Sequence, residues 1–141
     1  MSNTSGMVLS IETIVNAPIE KIWKMWSDPN DIIQWNTASE DWHTPRAEND
    51  LRPGGKFSYR MDARDGSFGF DFGGEYTLVD DHKLIEYRLG DGRKVKIVFE
   101  EVEGGVRITE DFETETKNPV EMQQAGWQSI LNNFKKYVES H

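Results

Sequence analysis

The chain has 141 residues and no cysteine, which fits one domain burying roughly 68–70% of its unfolded surface and excludes disulfides, thiolate metal sites and a cysteine nucleophile. Sixteen Lys and Arg against 25 Asp and Glu give a formal charge of -9, a field that repels phosphate backbones and anionic lipid surfaces and so disfavours nucleic-acid partners. Met1–Met7 has no basic or apolar leader character, and no apolar run approaches the roughly 18 residues of a membrane span. The expectation is a cytoplasmic protein without membrane insertion, with a disordered, tag-like leader over 1–6 and a single domain over 7–141.

In chain order, the β-branched run Val8-Leu9-Ser10-Ile11-Glu12-Thr13-Ile14-Val15 predicts a strand, and Pro18 suits the first position of the helix that follows. Ile19, Ile22, Trp23 and Trp26 then share one helical face. Asp28-Pro29 closes that helix, and Asp28 is placed to cap a second, shorter one carrying Ile32, Ile33 and Trp35.

From about Arg46 the apolar period becomes two. Phe57, Tyr59 and Met61 alternate with polar residues, as do Phe68, Phe70 and Phe72, then Ile85, Tyr87 and Leu89, then Val95, Ile97 and Phe99, and finally Val106, Ile108 and Phe112. This is the pattern of an antiparallel sheet with one apolar and one wet face. Pro53-Gly54-Gly55, Asp65-Gly66, Asp80-Asp81, Gly90-Asp91-Gly92 and Gly104-Gly105 mark hairpin turns. Gly73-Gly74 falls inside a strand and predicts a bulge or bend.

The last segment opens on Asn118-Pro119-Val120-Glu121, read as a capping residue, a proline at the first helical position and a capping-box glutamate. From Trp127, the residues Ile130, Leu131, Phe134, Tyr137 and Val138 repeat at helical spacing. The fold class is therefore α+β, with a strand, two short helices, a meander making about seven strands in all, and a long C-terminal helix.

Asn16-Ala17-Pro18-Ile19-Glu20-Lys21-Ile22-Trp23, Ser27-Asp28-Pro29, Leu51-Arg52-Pro53-Gly54-Gly55-Lys56-Phe57, Thr109-Glu110-Asp111-Phe112 and Gly126-Trp127 together resemble the START-like, helix-grip superfamily (SRPBCC). Within it they are closest to the subgroup named after the C-terminal domain of the heat-shock-chaperone ATPase activator. The resemblance runs from Met7 to the end of the chain. It implies a curved antiparallel sheet wrapped around the C-terminal helix, with a cavity between them. It leaves function open, since the superfamily includes lipid carriers, hormone receptors, cyclases and co-chaperone domains.

The strand alternation places one carboxylate on the apolar face: Glu110 is in phase with Val106, Ile108 and Phe112. An unpaired buried charge costs several kcal/mol, so roughly speaking the group must find a partner, stay wet or take up a proton. His43, Arg46, Arg60, Arg88, Gln123 and Gln124 are the candidate partners. The readings are a structural carboxylate network, a ligand-orienting group, or an acid–base catalyst assisted by His43.

Candidate ligand-binding residues are Trp35, Trp42, His43, Tyr59, Phe68, Phe70, Phe72, Tyr87, Glu110, Phe112, Gln123 and Trp127, since ligand pockets are lined by aromatic side chains with a few placed polar groups. The same aromatics also read as ordinary core. No histidine spacing fits zinc, the acidic residues form no calcium loop, and no glycine-rich turn sits where it would cradle a phosphate, so no metal and no cofactor are expected. Binding of a small apolar or amphipathic molecule is the favoured function. The alternatives are a cyclase, dehydratase or isomerase working through Glu110, and a protein module that stimulates a chaperone ATPase.

Overall fold

β1 (Val8–Val15) hands the chain to α1 (Ile19–Ser27) and α2 (Pro29–Trp35), and a meander of β2 (Trp42–Asn49), β3 (Lys56–Ala63), β4 (Gly69–Asp80), β5 (Leu84–Leu89), β6 (Lys94–Val102) and β7 (Gly105–Glu113) leads into α3 (Val120–Glu139). This computed structural model describes residues 7–141. The leader expected over 1–6 lies outside them.

Every strand pair is antiparallel, and the sheet order is β1-β7-β6-β5-β4-β3-β2. The chain leaves β1 through the two short helices, starts the meander at the far edge, and returns so that β7 pairs with β1. The helix-grip architecture follows: a curled sheet with α3 packed on its apolar face. That face carries the residues the period-two pattern marked, with Phe57, Tyr59, Ile85, Tyr87, Val95, Ile97, Phe99, Val106, Ile108 and Phe112 all buried.

The short helices begin and end for local reasons. Asp28 accepts a hydrogen bond from the Asn30 amide at 2.9 Å and so caps α2 as its sequence predicts. Asp28→Ala is expected to cost about 1 kcal/mol, readable as a lower urea midpoint at neutral pH. Pro18 and Pro119 stand one place earlier than expected, at the cap positions themselves, and neither helix has a side-chain cap. Asn118 instead donates its side-chain amide to Glu115, so the expected capping box of α3 does not form.

α3 is tied down mainly toward its C-terminus. Leu131, Phe134 and Val138 are fully buried, and Phe134 meets Trp26 and Trp35 edge-on at 4.9 and 4.8 Å between ring centres. The Tyr137 hydroxyl donates to Asp31 on α2, and Lys24 on α1 pairs with the same carboxylate at 2.8 Å, so one acidic side chain links three helices. Burial alone would raise the Asp31 pKa, but Lys24 and Tyr137 outweigh it and hold the carboxyl below its usual range.

Gly73 and Gly74 are not the bulge that their place inside a strand suggested. Both stay in register, Gly73 opposite Ser58 and Gly74 between Phe57 and Leu89. A Cβ at Gly74 would lie 2.3 Å from the Arg88 carbonyl oxygen, so the pair permits close backbone approach. The register shift comes later, between Tyr76 and Leu78. Tyr76 is buried, Leu78 is exposed, and half-buried Val79 packs against the core. The extra residue resets which side chains face α3.

Candidate functional site

Between the sheet and the N-terminal half of α3 lies a cavity of about 320 Å³. On the α3 side Gly126 has no side chain, and nothing lies within 4 Å of where its Cβ would stand. Beside it is Trp127. It stacks on Phe112 at 4.3 Å with the rings 9° apart and meets Phe72 edge-on at 6.0 Å, forming a fixed wall. Trp26, Trp35, Phe57, Ile85, Ile97, Ile130 and Leu131 supply most of the remaining apolar lining.

The polar content is concentrated. Glu110 projects from β7 with Ile11 and Ile97 beside it on β1 and β6. It is 6% exposed and lines the cavity. Among the described residues no hydrogen bond or ion pair reaches its carboxyl group. Burial pushes its pKa from 4.5 up to about 8, so the group holds its proton at neutral pH.

Tyr87 on β5 also lines the cavity, and its pKa is raised well above the ordinary phenol value by burial and then by the Glu110 charge. Tyr59 on β3 is linked to the Tyr76 hydroxyl on β4, which donates to Asn49; the Asn49 amide then donates to the Ser27 carbonyl at the end of α1. This chain satisfies two buried phenols and fixes their rings. Asn36, at the C-terminal cap of α2, lines the cavity as well, and its buried Nδ2 has no hydrogen-bond partner.

Of the residues the sequence singled out, Trp35, Tyr59, Phe70, Phe72, Tyr87, Glu110, Gln123 and Trp127 line this cavity. Gln123 does so with its amide already engaged: Oε1 accepts from the Glu115 N–H, and Nε2 donates to the Glu115 and Asn118 carbonyls. It pins the loop before α3 and has no donor left to read a ligand. Phe112 is fully buried beneath Trp127 and off the cavity wall.

Phe68, 61% exposed, does not line the cavity and clusters with Trp42 and Phe70. Trp42 and His43 belong to the edge strand β2, where His43 pairs with Asp62, and neither lines the cavity. His43 is thus a strand residue and not the loop residue expected. No expected partner meets Glu110. Gln124 is exposed, Arg60 binds Asp62 at 2.8 Å, Arg46 approaches Asp71 at 4.0 Å, and Arg88 is exposed on the other face. Among the described residues, no cluster of His, Cys, Asp or Glu could hold a metal ion, and no helix is long and apolar enough to cross a membrane.

The model of a family described as Activator of Hsp90 ATPase homolog 1-like protein matches residues 16–139. The chain belongs to this family. The AHSA1-like protein from Aeromonas hydrophila is 46% identical in sequence and superposes with a TM-score of 0.89, the match covering 95% of this chain and 93% of that one. A protein from Cytophaga hutchinsonii is 52% identical, with a TM-score of 0.81 over 93% of this chain and 91% of its own. A protein from Nitrosomonas europaea at 20% identity and a TM-score of 0.82, covering 95% of each chain, shares the fold. Among curated proteins none matches.

In this member of the activator-homologue family, several wall residues carried no functional signal in the sequence. Tyr76 and Phe57 look like any inward strand aromatic. Asn36 follows α2 in a polar stretch, and Gly126 is a single glycine within a helical pattern. The one available signal was Gly126 itself, since a glycine in a helix interior costs about 1 kcal/mol against alanine.

Proposed function

We propose that this chain binds a small, largely apolar or amphipathic molecule in the cavity between the sheet and α3, with Glu110 reading its polar end. The observation that carries this reading is a cavity of about 320 Å³ with aromatic walls and one carboxyl that has no hydrogen-bond or ion-pair partner among the described residues. Its size falls at the small end of ligand sites, which run from roughly 300 to 1,000 Å³. Native mass spectrometry and calorimetry against lipids, flavonoids and polyketides test it directly.

Gly126 supplies the matching control. Gly126→Ala is expected to stabilise the protein by about 1 kcal/mol through helix propensity, because the new methyl group meets nothing within 4 Å. Gly126→Leu is expected to fill the space and abolish binding while the melt stays cooperative. A leucine variant that binds every panel member as tightly as the parent rejects the cavity as the site.

The family match favours a second reading, stimulation of a chaperone ATPase, with exposed Phe68 and Phe70 and half-buried Trp42 as contact surface. An Hsp90 ATPase rate that does not change on adding the chain removes it. A rate that rises, and falls back with Phe68→Ser, supports it.

A further inference from the structure

We propose that the polar end of the ligand is a cation, and that the cavity takes an aryl- or alkyl-amine whose ammonium group sits against the Glu110 carboxylate among aromatic rings. This rests on the small-ligand reading above and specifies the chemistry of the occupant.

The choice of a carboxyl is the starting point. A ligand hydroxyl or carbonyl could be bound by a threonine or glutamine, neither of which loses charge solvation on burial. A buried carboxyl is repaid only by an opposing charge or by a proton. Here the protein offers no opposing charge, since the cavity wall contains no Lys, Arg or His among the described residues.

The groups around Glu110 are neutral on every side. β1 contributes Ile11, β6 Ile97, β5 Ile85 and Tyr87, β4 Phe72 and Tyr76, β3 Tyr59, the C-cap of α2 Asn36, and α3 Trp127 with the already bonded Gln123. The three phenols are shifted upward by burial and stay protonated across the working range. Arg93, whose charge is felt at Tyr87, is held by Asp91 at 2.7 Å. Tyr59, Phe72, Tyr87 and Trp127 line the cavity together with the carboxyl, and aromatic rings attract cations most strongly where water is excluded. The net charge of -9 draws cations toward the protein from solution.

In the empty protein the carboxyl keeps its proton. A bound ammonium group replaces that proton, which passes to the buffer, and the site remains neutral overall. Cation binding and proton release are therefore one event.

Calorimetry with 4-phenylbutylamine, its trimethylammonium analogue and 4-phenylbutanol, in two buffers of different ionisation enthalpy, reads this exchange. The amine and the quaternary ammonium compound are expected to bind at least about tenfold tighter than the alcohol near pH 8. Their affinity should rise by about tenfold per unit from roughly pH 6 and level off near 8, with close to one proton released at the lower end. Glu110→Gln, the isosteric neutral variant, is expected to erase both the preference for the amine over the alcohol and the proton release. An alcohol that binds as tightly as the amine, or amine binding without proton release, overturns the cation and leaves the small-ligand reading standing. If none of the three probes binds, the cation proposal fails, and the small-ligand reading is decided separately by the panel and by Gly126→Leu.

Discussion

Glu110→Gln is expected to stabilise the ligand-free protein increasingly as pH rises, and to remove most of the stability loss that the parent shows between about pH 5 and pH 9. The parent carboxyl titrates near 4.5 when unfolded and at about 8 when folded. Between those values the folded state holds a proton that the unfolded state has released, so stability falls with rising pH. The contribution is fully present below about 4.5, declines through neutrality and is lost above about 8. At roughly 1.4 kcal/mol per pH unit the full span is on the order of 5 kcal/mol, a large part of the 5–15 kcal/mol typical of a domain. Urea titrations of both proteins at acid, neutral and alkaline pH measure it. Parallel pH profiles would mean that Glu110 is solvated or paired in solution, and the cavity reading would lose its polar anchor.

The same linkage connects stability to ligand. An occupant that offsets the buried charge raises the parent's stability above pH 8 by far more than at pH 5, since only the charged form gains from it. The residue that makes the empty protein less stable at high pH is the one that would hold a cation there. Destabilising groups of this kind are what a binding site contributes to an otherwise consistent fold.

How far the sequence disclosed this arrangement depended on what each pattern measures. Strand alternation reports the face of the sheet, and it correctly turned Glu110 toward α3 because β7 runs without a break from Gly105 to Glu113. It does not report depth along the strand. Phe68, Phe70 and Phe72 have the same parity, yet Phe72 packs against Trp127, Phe70 lines the cavity while 38% exposed, and Phe68 is 61% exposed and off the cavity wall. Parity also fails where a bulge adds a residue: Leu78 and Val79 are both apolar, so nothing in the sequence showed which one turns inward.

β2 was only half legible for a related reason. Thr44-Pro45 interrupts the alternation at the point where the pairing shifts between His43 and Arg46, and a proline is tolerated there because β2 is an edge strand with an unpaired side. The cavity itself was not written in any local pattern. Its wall combines α3 residues, Gly126 and Trp127 among them, with strand residues such as Tyr59, Tyr87 and Glu110, a relation between distant segments. The resemblance supplied the expectation of a cavity, and the structure supplied its position, its lining and, among the described residues, the absence of a partner for Glu110.

Phe134→Ala is expected to cost about 3–5 kcal/mol, against a smaller loss for Trp127→Ala although tryptophan is the larger side chain. Phe134 has no exposed surface and is enclosed by Trp26 and Trp35 at the C-terminal end of α3. Deleting its ring leaves a void in a region already tied by the Asp31–Tyr137 and Asp31–Lys24 interactions, which prevents the helices from collapsing into it. Trp127 borders an existing cavity on one side, so its removal enlarges a space instead of creating one, and the packing that disappears with the indole is mainly its stacking on Phe112 and its edge against Phe72. Urea midpoints of the two variants at neutral pH give the comparison. A Phe134→Ala loss no greater than that of Trp127→Ala would mean that α3 is not clamped at its C-terminal end. The 20-residue helix is thus held over its last turns by Phe134 and Tyr137 and nearer its start by Trp127 on Phe112, and the space beside Gly126 is where the ligand is expected.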